Sequence, residues 1–266
     1  MGKRIQKIET WFSGIGKKLI SGVNFAGFTA LIFLSALYYM KNSWSKRHEI
    51  ILQMYNAGVK TFPVVSVVAL FTGMVLALQL GVEMKVFQQQ YLVGHAIMAM
   101  LTREMGPFMA GIILIASMGA SMAAEIGTMK VSEEIDALEL MSISPVKFLV
   151  MPRVIAMMLM TPIVSIYIIA IGSLGAAVVA NAQLGVPYNI YYFHAMKGLH
   201  LKAIYVGTVK AFIFGLLISS ISCAYGLKAV NGALGVGKGT RDSVVASFVM
   251  VLVIGYIITS IFYGRK

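Results

Sequence analysis

LVGHAIMAMLTREMGPFMAGIILIASMGASMAA, residues Leu92 to Ala124, runs for 33 residues with only two charges, Arg103 and Glu104. As one helix it would be about 50 Å long at about 1.5 Å per residue, whereas a hydrocarbon core about 30 Å thick needs roughly 20 residues. The run therefore crosses a bilayer with residues to spare. Gly106-Pro107 predicts a kink or break within it. Residues 107 to 124 alone can span, which sets Arg103 and Glu104 near the outer end or in a cavity opening outward.

Working outward, four more segments have the same character: Phe62 to Gly81, Val154 to Ala182, Ile204 to Tyr225 and Ser243 to Phe262. A further stretch, Asn24 to Met40, lies at the lower length limit. With 59% apolar and 12% charged residues, the chain reads as an all-α, polytopic membrane protein. The N-terminus is basic but lacks a short apolar core with a small-residue cleavage site, so it reads as mature chain. The lone Cys223 falls within a span and reads as a small buried hydrophobe.

Basic residues gather at the cytoplasmic ends of spans, and Arg103 and Lys210 are the two that lie inside spans. With five spans and a cytoplasmic N-terminus, 15 of the other Lys and Arg residues fall inside: nine before Phe62, three between 125 and 153, three between 226 and 242. Five fall outside, Lys85, Lys197, Lys202, Arg265 and Lys266. Making Asn24 to Met40 a sixth span gives ten and ten, so the charges favour five spans with the C-terminus on the outer side. Residues 1–60 then form a cytoplasmic-side region. There Ile5, Ile8, Phe12, Ile15 and Leu19 recur at helical spacing away from Lys3, Lys7, Lys17 and Lys18, as in an interfacial amphipathic helix. A solvated helix against the protein's own flank is the blander reading. Residues 61–266 form the membrane domain.

Charges within the membrane disfavour insertion by at least about 2.5 to 3.5 kcal/mol each at the helix centre. Neighbours in sequence point about 100° apart on a helix, so Arg103 and Glu104 need separate partners. Lys210 is one candidate for Glu104, and a lipid phosphate would suit Arg103. A structural ion pair and a substrate contact both remain open. Small residues recur every fourth position along Ala116, Ala120 and Ala124, along Gly119, Ala123 and Gly127, and along Gly172, Ala176 and Ala180, which suits close helix packing.

Between the second and third spans, Val131, Ile135, Leu138 and Met141 are spaced as one helical face while Glu133, Glu134, Asp136 and Glu139 cover much of the rest. Over about residues 130–144 this reads as a short acidic amphipathic helix that docks on a basic partner surface; a solvated connector is the alternative. Gly232-Ala-Leu-Gly-Val-Gly237-Lys238 imitates the start of a phosphate-binding loop, but Gly239 stands where Ser or Thr must ligate magnesium, and no strand precedes it. The segment reads as a flexible turn, and any ATP chemistry belongs to another chain. His48, His95, His194 and His200 have no metal-site spacing, and the only two Asp residues, Asp136 and Asp242, lie in loops. No catalytic residue, metal or cofactor is expected in this chain, nor a nucleic-acid partner.

The string Leu101-Thr-Arg103-Glu104-Met-Gly106-Pro107, then Ala124-Glu125-Ile-Gly127 through Glu133-Glu-Ile-Asp136-Ala-Leu138, then Pro145 to Pro152-Arg153, resembles the MlaE (YrbE) family of permeases of MCE-type ABC transporters. The likeness extends from Gly73-Met-Val-Leu76 through Tyr225-Gly226 and Gly235-Val-Gly237 to the last span. It implies a homodimer in the bacterial inner membrane with two cytoplasmic ATPase subunits, which bind ATP and Mg, and a periplasmic MCE protein, moving phospholipid. It also implies that Glu133, Glu134, Asp136, Leu138 and Met141 belong to a coupling helix in the ATPase groove, and that Leu76, Phe87, Arg103, Glu104, Met105 and Lys210 lie near lipid. One departure stands out. The family commonly has Gly-Arg-Ala-Gly where this chain has Ala116-Ser117-Met118-Gly119, so any role of that Arg does not transfer. A scaffold or receptor without transport is the rival reading, and an ion-coupled transporter is disfavoured because no internal repeat is visible.

Overall fold

The computed structural model describes residues 2–39, 41 and 46–264, with side chains from Ile20 onward except Ser21. The amphipathic stripe between Ile5 and Leu19 and the terminal Arg265 and Lys266 therefore lie outside the described side chains. All regular structure among the described residues is helical: α1 (Gly2–Tyr39), α2 (Arg47–Ala57), α3 (Phe62–Val86), α4 (Gln90–Val131), α5 (Glu134–Leu140), α6 (Val146–Leu184), α7 (Tyr188–Gly198), α8 (Leu201–Leu227) and α9 (Gly232–Tyr263). Six of these, α1 from Gly22 together with α3, α4, α6, α8 and α9, are long and apolar enough to cross a membrane. The apolar part of α1 is the least enclosed of the six.

Chain direction alternates along α3, α4, α6, α8 and α9, so short connections gather at two ends. One end carries α1, α2, α5 and the 228–231 turn; the other carries α7 and the 87–89 turn. The central core joins Leu114 and Met118 of α4, Met157 and Val164 of α6, Phe214 and Ile218 of α8, and Val251 of α9. At the α7 end, Ile97, Leu101, Ala176 and the fully buried Tyr191 form a second cluster, and the Tyr191 hydroxyl donates to Ser173 O at 3.2 Å. At the opposite end Ile32 and Ala36 of α1 pack with Ile126, Ile135, Leu149 and Val154.

In a bilayer, lipid tails are as apolar as side chains, so helices gain mainly from close backbone approach. The α3–α6 seam shows this. A Cβ added at Gly73 would come 1.8 Å from Gly172 O, and one at Gly175 would come 2.3 Å from Leu70 O. Of the small-residue rows, Gly172, Ala176 and Ala180 are buried and Gly119 faces Ser222 and Ile218 of α8, while Ala116 is exposed.

Three local expectations are corrected. At Gly106-Pro107 the helix does not break. A π turn over Leu101–Met105 absorbs the misfit, and a second follows at Ile115–Gly119. A wider turn accommodates the proline ring without separating the two halves. The glycines from Gly232 to Gly239 are the first turns of α9, preceded by Asn231 in the left-handed region at φ 66°. The acidic helix is seven residues long, because Glu133 (φ 62°) and Ser142 (φ 60°) are left-handed and end it on both sides. Val131 thus belongs to α4, Ile135 is buried, Leu138 is partly covered, and Leu140 and Met141 are 89% and 69% exposed. The four apolar residues do not share one face.

Gly73→Ala is expected to destabilise the purified protein by about 1 to 3 kcal/mol through overpacking, read as a lower melting temperature in detergent. Gly237→Ala, where a Cβ meets nothing within 4 Å, is expected to leave it unchanged or higher. Equal midpoints for the two variants would contradict the tight α3–α6 seam.

Candidate functional site

Lys210 lies about a third of the way along α8 and is 1% exposed. An ammonium so far from water needs compensating charge and acceptors for all three protons. Its Nζ donates to Glu104 Oε2 at 2.8 Å and Oε1 at 2.9 Å, to Thr259 Oγ1 at 2.8 Å and to Arg103 O at 3.2 Å. Thr259 Oγ1 in turn lies 2.8 Å from Glu104 Oε1 and 2.9 Å from Gly255 O, so its single proton serves one of these two acceptors. One amine thereby ties α4, α8 and α9 together.

The Arg103 carbonyl is available because of sequence four residues further on. Pro107 has no N–H, so the acceptor that an unbroken α-helix would pair with residue 107 is left open. Lys210 takes that place. The same proline that suggested a break in the span thus supplies one of the four ligands of the buried amine.

Arg103 points elsewhere, as its adjacency to Glu104 requires. Its guanidinium carbon stands 5.1 Å from the Tyr263 ring centroid, and Lys202 Nζ is also 5.1 Å from that centroid and donates to Phe262 O. No carboxylate pairs with Arg103 among the described residues, and its Nε and the Tyr263 hydroxyl are buried without partners. This end of the bundle therefore presents two cations around one phenol.

A cleft of about 380 Å³ opens beside the ion pair, walled by Met105, Phe108, Phe214, Val251, Leu252 and Tyr256, with Glu104, Lys210 and Thr259 as its polar patch. Glu104 is 40% exposed, so the carboxylate faces the opening while the amine stays behind it. Met105 is also a wall of a neighbouring groove of about 520 Å³ between α3 and α4, lined by Val67, Phe71, Val75 and Leu76. The structure thus brings together Glu104, Met105 and Lys210, with Leu76 one groove away. Phe87 caps the far end of α3, is 73% exposed and lines neither cavity. Thr259 and Tyr263 carry no signal in the sequence, since nothing marks a threonine or tyrosine in an apolar helix as a partner for charges 49 or more residues away.

Met118 is 7% exposed and sits in the central core beside Leu114, Met122 and Ile218. The position is dry and apolar, so the helix pair there closes without a charge. At the other end Arg153, 8% exposed, donates to Glu125 Oε2 at 2.9 Å and to Leu149 O at 2.9 Å. That pair ties α4 to α6 next to α5. In α5 itself, Asp136 pairs back onto Lys130 of α4, and Glu134 accepts from Ser132 at 2.9 Å.

Residues 50–261 match the family model described as Permease MlaE. A probable ABC transporter permease protein of Rickettsia typhi is 36% identical over 249 residues, covering 94% of this chain and 96% of that protein. A probable ABC transporter permease protein of Synechocystis is 30% identical over 87% of this chain and 86% of its own length. The chloroplast protein TRIGALACTOSYLDIACYLGLYCEROL 1 of Arabidopsis thaliana is 31% identical over 79% of this chain and 60% of its own length.

Glu104→Ala is expected to destabilise the protein by about 3 to 5 kcal/mol, because it leaves a buried ammonium without its counter-charge. Replacing both partners, Glu104→Leu with Lys210→Leu, is expected to recover most of that loss. Additive losses in the double variant, measured by thermal unfolding, would show that the two side chains are not coupled.

Proposed function

The chain belongs to the MlaE permease family, and we propose that it is the membrane-spanning half of an ATP-driven transporter whose cargo is a lipid, with phospholipid the first candidate. The observation that carries the reading is the cleft beside Lys210: apolar walls for acyl chains, a single polar patch of Glu104, Lys210 and Thr259, and Arg103 with Lys202 at the same end for a phosphate. An amphiphile needs both kinds of surface in this order. The name of the chloroplast relative contains a glycerolipid, which agrees with that cargo class.

Two copies of the chain would face each other across this cleft, with exposed Val249, Leu252, Val253 and Tyr256 of α9 beside it. Five of the six apolar helices would cross the bacterial inner membrane, and α1 would lie along its cytoplasmic face. The count of Lys and Arg at the two ends supports that orientation, with the N-terminus and α5 inside and the C-terminus in the periplasm. ATP and Mg would sit on separate ATPase subunits docked on α5, whose exposed Leu140 and Met141 offer an apolar contact beside Glu134 and Glu139. A periplasmic MCE protein would receive or deliver the lipid near Arg103 and α7. Binding and hydrolysis of ATP would tilt α5, and through the Arg153–Glu125 pair would shift α4 against α6, widening or closing the cleft.

The complex reconstituted in vesicles with a fluorescent phospholipid tests the cargo. Met105→Trp, which narrows both cavities, is expected to lower ATP-dependent lipid movement by about tenfold or more, as for a barrier raised by about 1.4 kcal/mol, with assembly unchanged. Leu140→Asp together with Met141→Asp is expected to abolish co-purification of the ATPase while the permease still accumulates. Unimpaired lipid movement in the first variant would sink the cleft assignment, and retained ATPase in the second would sink the docking assignment. Arg103→Leu separates transport from a scaffold: loss of assembly points to scaffold, loss of lipid movement alone to transport.

A further inference from the structure

A third cavity, of about 380 Å³, lies at the opposite end of the bundle from the Lys210 cleft, between α1, α8 and α9. Its walls are Phe25, Thr29, Phe33, Leu217, Ile221 and Met250, and Ser220 belongs to its lining. Ser220 is 2% exposed, and its Oγ has no hydrogen-bond partner. Water does not suit the space, because a buried water needs two to four polar partners and the wall offers hardly any. An occupant must be apolar along most of its length and carry an acceptor at the level of Ser220.

The mouth adds a charge. Phe25 stacks 4.2 Å from Tyr225, and Lys228 Nζ stands 4.9 Å from the Phe25 centroid and 4.3 Å from that of Phe28. Among the described residues Lys228 makes no ion pair. Ser220 lies five residues deeper along α8 than Tyr225, about 7.5 Å at the rise of an α-helix. The mouth thus carries a lysine and the wall deeper in carries a free hydroxyl, the order in which a glycerophospholipid presents its phosphate and its acyl ester.

We propose that this cavity binds one acyl chain of an anionic glycerophospholipid, its ester accepting from Ser220 and its phosphate facing Lys228. The lipid comes from the leaflet that Lys228 faces, and it fills the gap between the lightly packed α1 and the bundle. The site is distinct from the Lys210 cleft and does not depend on the transport reading.

The full-length chain in phosphatidylcholine nanodiscs, doped with phosphatidylglycerol bearing a diazirine midway along one acyl chain, supplies the test. Irradiation is expected to label residues 22–33 and 217–225. Ala26→Trp, which fills the cavity, is expected to lower that labelling about fivefold or more, since a close-packed site has no room for both. Ala30→Leu serves as the milder filling variant should the tryptophan prevent accumulation. Lys228→Gln is expected to reduce labelling to the level given by the same diazirine probe with a phosphatidylcholine headgroup. Label absent from these segments, as when a second copy or another protein covers them, overturns the proposal, as does label that both filling variants leave unchanged. Equal labelling of the unaltered chain by the two probes overturns the anionic headgroup.

Discussion

The buried ammonium of Lys210 is the constraint around which this end of the molecule is arranged. A charge taken out of water must be surrounded by acceptors or the helix carrying it leaves the bundle. Glu104, Thr259 and the Arg103 carbonyl meet that demand, and they come from two other helices. The register of α4, α8 and α9 at this level therefore follows from one side chain. The π turn over Leu101–Met105 lies on the same stretch, so Arg103 and Glu104 are presented on a widened turn with their side chains in different directions.

Much of the fold was legible in the sequence because membrane thickness dictates element length. The five runs beginning at Phe62, Leu92, Val154, Ile204 and Ser243 all lie inside long helices. Their ends were not legible. The first turns of α9 contain Lys238, Arg241 and Asp242 and read as a loop, yet a helix leaving the apolar layer needs no apolar side chains to continue in water. The Gly106-Pro107 pair read as a kink or break because proline removes a hydrogen bond, but a neighbouring helix can restore the acceptor's partner, and that neighbour is visible only in three dimensions.

The site divides in the same way. In-span charges demand partners, so the sequence offers Lys210 as one candidate for Glu104, and the structure pairs the two. The sequence does not reveal Thr259, since a threonine in an apolar helix ordinarily bonds to its own backbone, and Gly255 O lies within reach of this hydroxyl too. Met105 lines the cleft and Leu76 the neighbouring groove, whereas Phe87 stands apart at the end of α3. The cavity at Ser220 had no signal at all, because it depends on where α1 rests against α8, and no short-range pattern encodes that distance.

The two left-handed residues that bracket α5, Glu133 and Ser142, make residues 133–142 a cassette. Each end of it is a sharp corner, and only Ile135 inside it is fully buried. Leu138 packs against the same cluster and Asp136 pairs with Lys130 of α4, while Glu133, Leu140 and Met141 are exposed. The exposed positions are free to diverge while Ile135, Leu138 and Asp136 keep their contacts. Changes at those positions need no adjustment in the membrane helices to which the contacts connect the cassette.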